Sequence, residues 1–436
     1  MNRIITSILF ASLTLFATSS RADNLLSIYR LAQQSDPQVR AAAANMQATR
    51  EARPQSIANM LPNLSVTADT IENDQKTTGT SFFSNSGRFN TNSYTISLVQ
   101  PIFHFEYYSQ YKQAGSTVSR ADAEYLTAQQ ELIVRVARAY FDVLGAIDNL
   151  RFTEQERKAI SRQLEQAQQR FEVGLIAITD VHEARAAYDQ AVAQQIDAEN
   201  LRDSQREQLQ AITGKTHMEL SLLKEDIPLL KPEPADMSQW VETAQAQNPA
   251  ILAARHASEE ARQDINIARS AHLPTLDVVA TRRHSESGGT LARETDLDTI
   301  GLQLNMSLFE GGRVVSRTRQ ASYQFNEASE NLELQHRNVT RQTRDAYRGV
   351  IAGISRIKAF KQAVVSNNSA LQATEAGFEV GTRTIVDVLI SQRNLYRSER
   401  DLARSRYDYL IQTLSLKQAA GTLDISDLEK MNGWFK

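Results

Sequence analysis

The sequence predicts a mainly α-helical chain with a β-barrel part, laid out as two structural repeats. Each repeat holds one membrane β-hairpin and one pair of long antiparallel coiled-coil helices. Three observations predict this. The stretch FEVG at Phe171 to Gly174 returns at Phe378 to Gly381, 207 residues on. Residues 106–171 and 313–378 hold no proline and little glycine. Each repeat also carries two alternating apolar–polar runs separated by a polar loop.

The N-terminus MNRIITSILFASLTLFATSSRA has a basic Arg3, an apolar stretch from Ile4 to about Phe16 and a small-residue end at Ser20 to Ala22. That pattern predicts a signal peptide over 1–22, cleaved before Asp23. Its removal takes Arg3 and Arg21 and leaves 46 basic against 51 acidic residues, a balance that gives no sign of a nucleic-acid partner. There is no cysteine, so an exported chain has no disulfide, thiol zinc site or lipid-bearing cysteine. No later run approaches the roughly 18 apolar residues of a spanning helix, which leaves a β-barrel as the membrane option.

The repeats align throughout. Asp36-Pro37 recurs as Asn248-Pro249 and Leu61-Pro62 as Leu273-Pro274, both 212 residues later; after the loops, Phe103 matches Phe309, Asp180 matches Asp387 and Gly214 matches Gly421 at 206 to 207. The first repeat spans 23–213 and the second 239–436, with a linker at 214–238 that holds three prolines and crosses the outside of the helices midway. Each repeat opens with a capped helix, to about Ser56 or Ser270, where Asp36 or Asn248 caps and Pro37 or Pro249 takes the first helical position.

Strands follow. Leu64, Val66 and Ala68 share a face, as do Leu276, Val278 and Ala280; Tyr94, Ile96 and Leu98, then Ile300, Leu302, Leu304, Met306 and Leu308, form the returning runs. The hairpins therefore span about 62–105 and 274–309, with polar loops at about 70–92 and 282–298. Strands of about ten residues with one apolar face suit an outer-membrane barrel, but four cannot close, because barrels start at about eight. At least two chains are needed, and three would supply twelve strands.

The long helices repeat apolar residues in heptads: Leu126, Ile133, Tyr140 and Ile147, with Val136, Val143 and Leu150 three behind, and Val388, Leu395, Leu402, Tyr409 and Leu416 on a return helix. Narrow stripes of this kind pack as coiled coils. The tip turns fall at about 172–179 and 379–386. Gly174 and Gly381 suit the left-handed position that ends a helix, and Thr179-Asp180 or Thr384 to Asp387 can cap the return helix.

VGLIAITDV with VGTRTIVDVL, ARAYFDVLGAIDNL, HLPTLD and FEGG resemble the outer membrane factor family of TolC-type exit ducts, over essentially the whole mature chain. The resemblance implies a homotrimer with a twelve-stranded barrel in outer-membrane lipid, continuous with a helical tunnel in the periplasm of a Gram-negative cell. It implies no catalysis and no cofactor. The implied partners are a periplasmic adaptor (membrane fusion) protein and inner-membrane transporters of the resistance-nodulation-division, ABC or major-facilitator type, in efflux pumps and type I secretion systems.

The resemblance also implies residue roles. Thr179 and Asp180 correspond to gate positions, Arg383 to the arginine that reaches them, and Gln163 to a further hydrogen-bonding partner. Phe378 stands where the family has a tyrosine, so one gate hydrogen bond is lost. Asp387 corresponds to an acidic constriction ring; the second acid expected three residues on is Ile390, which implies weaker block by multivalent cations. Val173, Gly174 and Leu175, with Val380, Gly381 and Thr382, correspond to the adaptor contact.

Simpler readings compete: Asp180 and Asp387 as plain caps, Arg383 as a solvated charge, and the tips as helix ends with their apolar contacts. No nucleophile motif, Walker loop or paired zinc histidines occur, and the histidines show no ligand spacing. EGGRV at 310–314 reads as a bend from barrel to helix. The rival to a duct is an exported coiled-coil scaffold or adhesin without a pore, which leaves the hairpins unexplained.

Overall fold

The computed structural model describes residues 23–76, 86–217, 219–288 and 292–436. The predicted signal peptide at 1–22 and parts of both hairpin loops lie outside the described residues.

Asn24 caps α1 (Leu25–Ser35) and Asp36 caps α2 (Pro37–Arg50) with its carboxylate on the Val39 amide, 2.9 Å away. The first repeat was expected to open with one helix to about Ser56, but it breaks at Glu51 and resumes as α3 (Ala52–Ala58). Pro54 supplies the reason, because its ring lacks the amide that would bond the Arg50 carbonyl. The second repeat has no such proline, and α7 (Pro249–Ser270) is continuous.

β1 (Asn63–Lys76), β2 (Ser86–Phe103), β3 (Thr275–Ser287) and β4 (Arg293–Asn305) form one antiparallel sheet in that order. The strands run well into the segments expected to be loops. There the alternation of apolar residues stops but the ladders continue, to Lys76 opposite Ser86 and Ser287 opposite Arg293, with polar cross-strand bonds such as Asn73 donating to Thr91 at 2.9 Å. Conversely, β4 ends at Asn305, opposite Thr275, and Met306 and Leu308 are exposed beyond it. Pro274 precedes Thr275 and has no amide to extend the ladder.

Register makes one face apolar across both repeats. Leu64 pairs with Leu98, Val66 with Ile96 and Ala68 with Tyr94; Leu98 pairs with Ala280; Leu276 pairs with Leu304, Val278 with Leu302 and Ala280 with Ile300. The other face carries Ser65, Thr67, Ser97, Thr95, Thr281 and Thr299. An apolar band opposite a polar face is the pattern of a barrel wall between lipid and an aqueous lumen. Among the described residues no helix is long and apolar enough to cross a membrane.

From the sheet run α4 (Phe105–Glu172) and α8 (Arg313–Glu379), of 68 and 67 residues, each about 100 Å long at 1.5 Å per residue. α5 (Ile178–Thr213) and α9 (Ile385–Ala419) return along their far halves. Midway, α6 (Met237–Gln247), α10 (Ile425–Asn432) and the linker wrap the outside. Tyr140, fully buried, donates from its hydroxyl to the Ser221 carbonyl at 2.8 Å, and Tyr409 donates to the Leu230 carbonyl at 2.9 Å. Ile133, Tyr140, Val136, Val143, Tyr409 and Leu416 of the predicted stripes are buried there, Leu150 is buried outside that cluster, and Leu126 is exposed.

Packing alternates between the repeats. Near the sheet the order is α2 and α3, α4, α7, α8; at the far end it is α5, α4, α9, α8. One lateral edge of the protomer is thus β1, α2, α3 and α5, and the other is β4 and α8.

Candidate periplasmic gate and tip surface

Both tip turns are Schellman motifs. Gly174 (φ 75°) donates to the Phe171 carbonyl and Leu175 to that of Arg170, each at 2.8 Å; Gly381 (φ 80°) donates to Phe378 and Thr382 to Gly377 at 3.2 and 2.8 Å. The glycines end the helices, as the simpler reading of the tips holds. The apolar contact that often accompanies such an end is absent, because Val173, Leu175 and Val380 are 70%, 73% and 75% exposed.

Above the tips, Ile160, Leu164 and Ala167 of α4 pack with Ala184 of α5, Phe378 of α8 and Ile385, Val388 and Leu389 of α9, with Ile176 against them. Phe378 is buried in this cluster and takes the Arg170 guanidinium over its ring at 4.6 Å. The ring, which has no hydroxyl, is thus held in apolar packing under a cation.

Thr384 and Asp387 form a complete capping box: the Thr384 amide and hydroxyl both donate to the Asp387 carboxylate at 2.9 Å, and the Asp387 amide donates back to the hydroxyl at 3.3 Å. The amide, then the hydroxyl, then the charge of Arg383 hold this carboxyl below the usual aspartate range. Its pKa is depressed, so its capping contribution is present above the unfolded pKa and lost as pH falls through the folded one. Asp387 is therefore charged at neutral pH and engaged as a cap. Ile390, one turn on, is exposed.

Arg383 folds back so closely that a Cβ on Gly377 would come within 2.7 Å of its Cγ. Among the described residues, no hydrogen bond or ion pair joins Arg383 to Asp180 or Thr179 within one chain. Asp180 sits in the first turn of α5, whose N-cap is Ala177, with no side-chain cap bond; the expected capping by Thr179-Asp180 is not made. Gln163 leaves a buried side-chain oxygen without a partner.

Repeat equivalence explains the missing pair. At 207 residues, Arg383 is the counterpart of Ile176 and Asp180 that of Asp387. Inside a chain, the turn holding Ile176 meets the start of α9 through the apolar cluster. The turn holding Arg383 and the start of α5 lie on opposite lateral edges. Carrying the repeat comparison through the tip residue by residue would have exposed this substitution in the sequence.

A four-stranded sheet with a lipid-type face, continuous with helical hairpins of periplasmic length, defines one protomer of an outer-membrane channel-tunnel. Residues 28–215 and 240–422, one block per repeat, match the family model described as outer membrane efflux protein. The chain is 38% identical over 446 residues to outer membrane protein TolC of Escherichia coli strain K12, covering 99% of this chain and 89% of that one. It is 30% identical over 436 residues to the alkaline protease secretion protein AprF of Pseudomonas aeruginosa, covering 98% and 91%. The fold is similar to the crystal structure of the outer membrane protein VceC from Vibrio cholerae, with a TM-score of 0.80 at 20% identity over 91% and 96% of the two chains. The chain belongs to the outer membrane efflux protein family. It is an outer-membrane protein and not an enzyme.

Proposed function

We propose that three copies of this chain close into an exit duct that passes drugs, toxins or secreted proteins across the outer membrane, as the outer component of tripartite efflux pumps and type I secretion systems. The observation that carries this is the matching of the two lateral edges. Within a chain, β2 pairs with β3, α7 lies between α4 and α8, and α9 lies between α4 and α8. Each is a junction of repeat one with repeat two. Continued to the next copy, the same junctions put β4 against the neighbour's β1, and α8 against its α2, α3 and α5. Such a head-to-tail interface closes into a ring, with twelve strands for three copies, and leaves no strand edge unpaired.

The same continuation brings Arg383 of one copy to Asp180 and Thr179 of the next, so the gate is a contact between copies. Inside a chain the equivalent junction is apolar and permanent; between copies it is polar and openable. The unpartnered oxygen of Gln163 is a further acceptor available to the gate. An adaptor binding the exposed Val173, Leu175 and Val380 with Gly174, Gly381 and Thr382 would open it by favouring the open arrangement, while an inner-membrane transporter supplies the energy. Asp387 forms a single acidic ring in the tunnel.

Single-channel recording of the purified protein in a planar bilayer tests this reading. A small, steady conductance from an oligomer that resists heating in detergent is the expected result; absence of any pore would return the coiled-coil scaffold to the front.

Restoring a second acid at Ile390 is expected to strengthen trivalent-cation block of that conductance, because a second ring of carboxylates one turn away deepens the cation well. Equal block of wild type and Ile390→Asp would remove Asp387 from the constriction.

A further inference from the structure

The outer end of the β3–β4 hairpin carries a group of ligating side chains that the duct and its gate do not use. We infer that His284, Glu294 and Asp296 form a surface site for a divalent transition ion of the zinc class. His284 pairs with Asp296 across the strands and Glu286 with Glu294 on the next rung, all on one face. One ligand atom each from His284, Glu294 and Asp296 lie within 4.8 Å of one another. Ligands bonded to one zinc at about 2.0–2.2 Å stand roughly 3.3–3.5 Å apart, so small side-chain rotations complete the set.

The scaffold is already ordered. Strand pairing fixes the backbone on both sides, and the Tyr94 ring stacks on His284 with centroids 5.0 Å apart. The His284 Nδ1 lies 2.9 Å from an Asp296 oxygen. A histidine–aspartate hydrogen bond accounts for those two residues alone. It does not account for Glu294 facing Glu286, since like charges directly opposite on a ladder are destabilising.

Of the nearby arginines, Arg282 pairs with Asp298 at 3.8 Å on the next rung and Arg88 with Asp74 at 3.2 Å, while Arg283 and Arg293 stand on the opposite face of the ladder. Among the described residues no lysine or arginine pairs with Glu286 or Glu294. Residues 289–291, outside the described residues, are Gly, Thr and Leu and bring no charge. A bound cation supplies the missing positive charge. The imidazole selects a borderline metal over magnesium or calcium, which take oxygen ligands.

The site continues the face that bears the apolar band, beyond its end farthest from the helices. In the barrel it therefore faces the medium at headgroup level. There an ion would tie β3 to β4 at the mouth.

The test uses the full-length protein in detergent, stripped with a chelator. Calorimetric titration with Zn2+ is expected to show one ion per chain, and Co2+ to give a visible absorption band. His284→Ala and Glu294→Gln should each lower zinc affinity at least about tenfold, with oligomer and conductance unchanged. If His284→Ala fails to assemble, Glu294→Gln, a near-isosteric change of an exposed side chain, carries the comparison. No zinc uptake by the wild type, equal affinity in the variants, or displacement of zinc by equimolar Mg2+ would each overturn the site, the last reducing it to an acidic patch.

Discussion

Replacing Asp180 and Arg383 together with alanine is expected to raise the single-channel conductance several-fold. Asp180 makes no side-chain cap bond, so its removal leaves α5 intact. In the proposed ring Arg383 meets its partner only after closure, and among the described residues it makes no ion pair within one chain, so its loss is expected to leave the fold of one chain intact. A forked guanidinium–carboxylate pair is directional, but near water each contributes only about 0–1 kcal/mol. Three such pairs hold a gate by a few kcal/mol at most, an amount that a docking partner can supply by preferring the open arrangement.

The single variants are expected to open the pore partly, and a charge-swapped pair, Asp180→Arg with Arg383→Asp, to restore the low conductance. A conductance unmoved by the double variant would place the closing contact elsewhere along the α5–α8 junction. Mixed assembly separates a contact between copies from one within a chain. Protomers carrying only Asp180→Ala and protomers carrying only Arg383→Ala together retain some intact Asp180–Arg383 junctions, so their rings should conduct between the wild type and the double variant.

The second large effect concerns a glycine that the duplication makes look equivalent to its counterpart. Gly214 and Gly421 end the return helices of the two repeats, both with positive φ, 70° and 77°. Gly421→Ala is expected to destabilise by roughly 2–5 kcal/mol, from about 1–2 for a side chain in the left-handed region and about 1–3 for overpacking. A Cβ there would stand 2.6 Å from the Gln247 carbonyl oxygen and 2.8 Å from the Asn248 Cα. Those atoms belong to the bend between α6 and α7, which cannot yield.

Asn248 anchors that bend by donating to the Ala419 carbonyl at 2.9 Å, and Gln130 donates to the Gly421 carbonyl at 3.1 Å. At Gly214 the nearest atom is the Ser35 Cβ at 4.0 Å, so Gly214→Ala should lose only the backbone term of about 1–2 kcal/mol. Thermal unfolding followed by helical circular dichroism compares the two, and equal shifts would refute the distinction.

Much of this protein was legible in the sequence because repetition supplies its own control. The FEVG turns marked both tips, the proline-free spans both long helices, and the alternating runs all four strands. Heptads placed Tyr140, Val143, Tyr409 and Leu416 in the interior, where they are buried. Strand lengths were misjudged because alternation reports the lipid face, whereas the ladder is held by backbone bonds that persist on Asn, Thr and Ser rungs. The helix break at Glu51 was also readable, from Pro54.

The candidate gate was less legible. Its residues could be aligned to a family, but whether Arg383 reaches Asp180 in its own chain depends on which helices are neighbours. The sequence by itself determined the elements, their duplication and their polar and apolar faces, since periodicity and punctuation act over a few residues.

Only the tertiary structure decided the order α5, α4, α9, α8 and the pairing of β2 with β3, the edges on which the proposed gate between copies rests. It alone brought ligand atoms of His284, Glu294 and Asp296 within 4.8 Å of one another, and it alone set Gly421 against the α6–α7 bend while leaving space at Gly214. Those outcomes are set by which surfaces meet across roughly two hundred residues of chain, and a short-range pattern carries no information about that meeting.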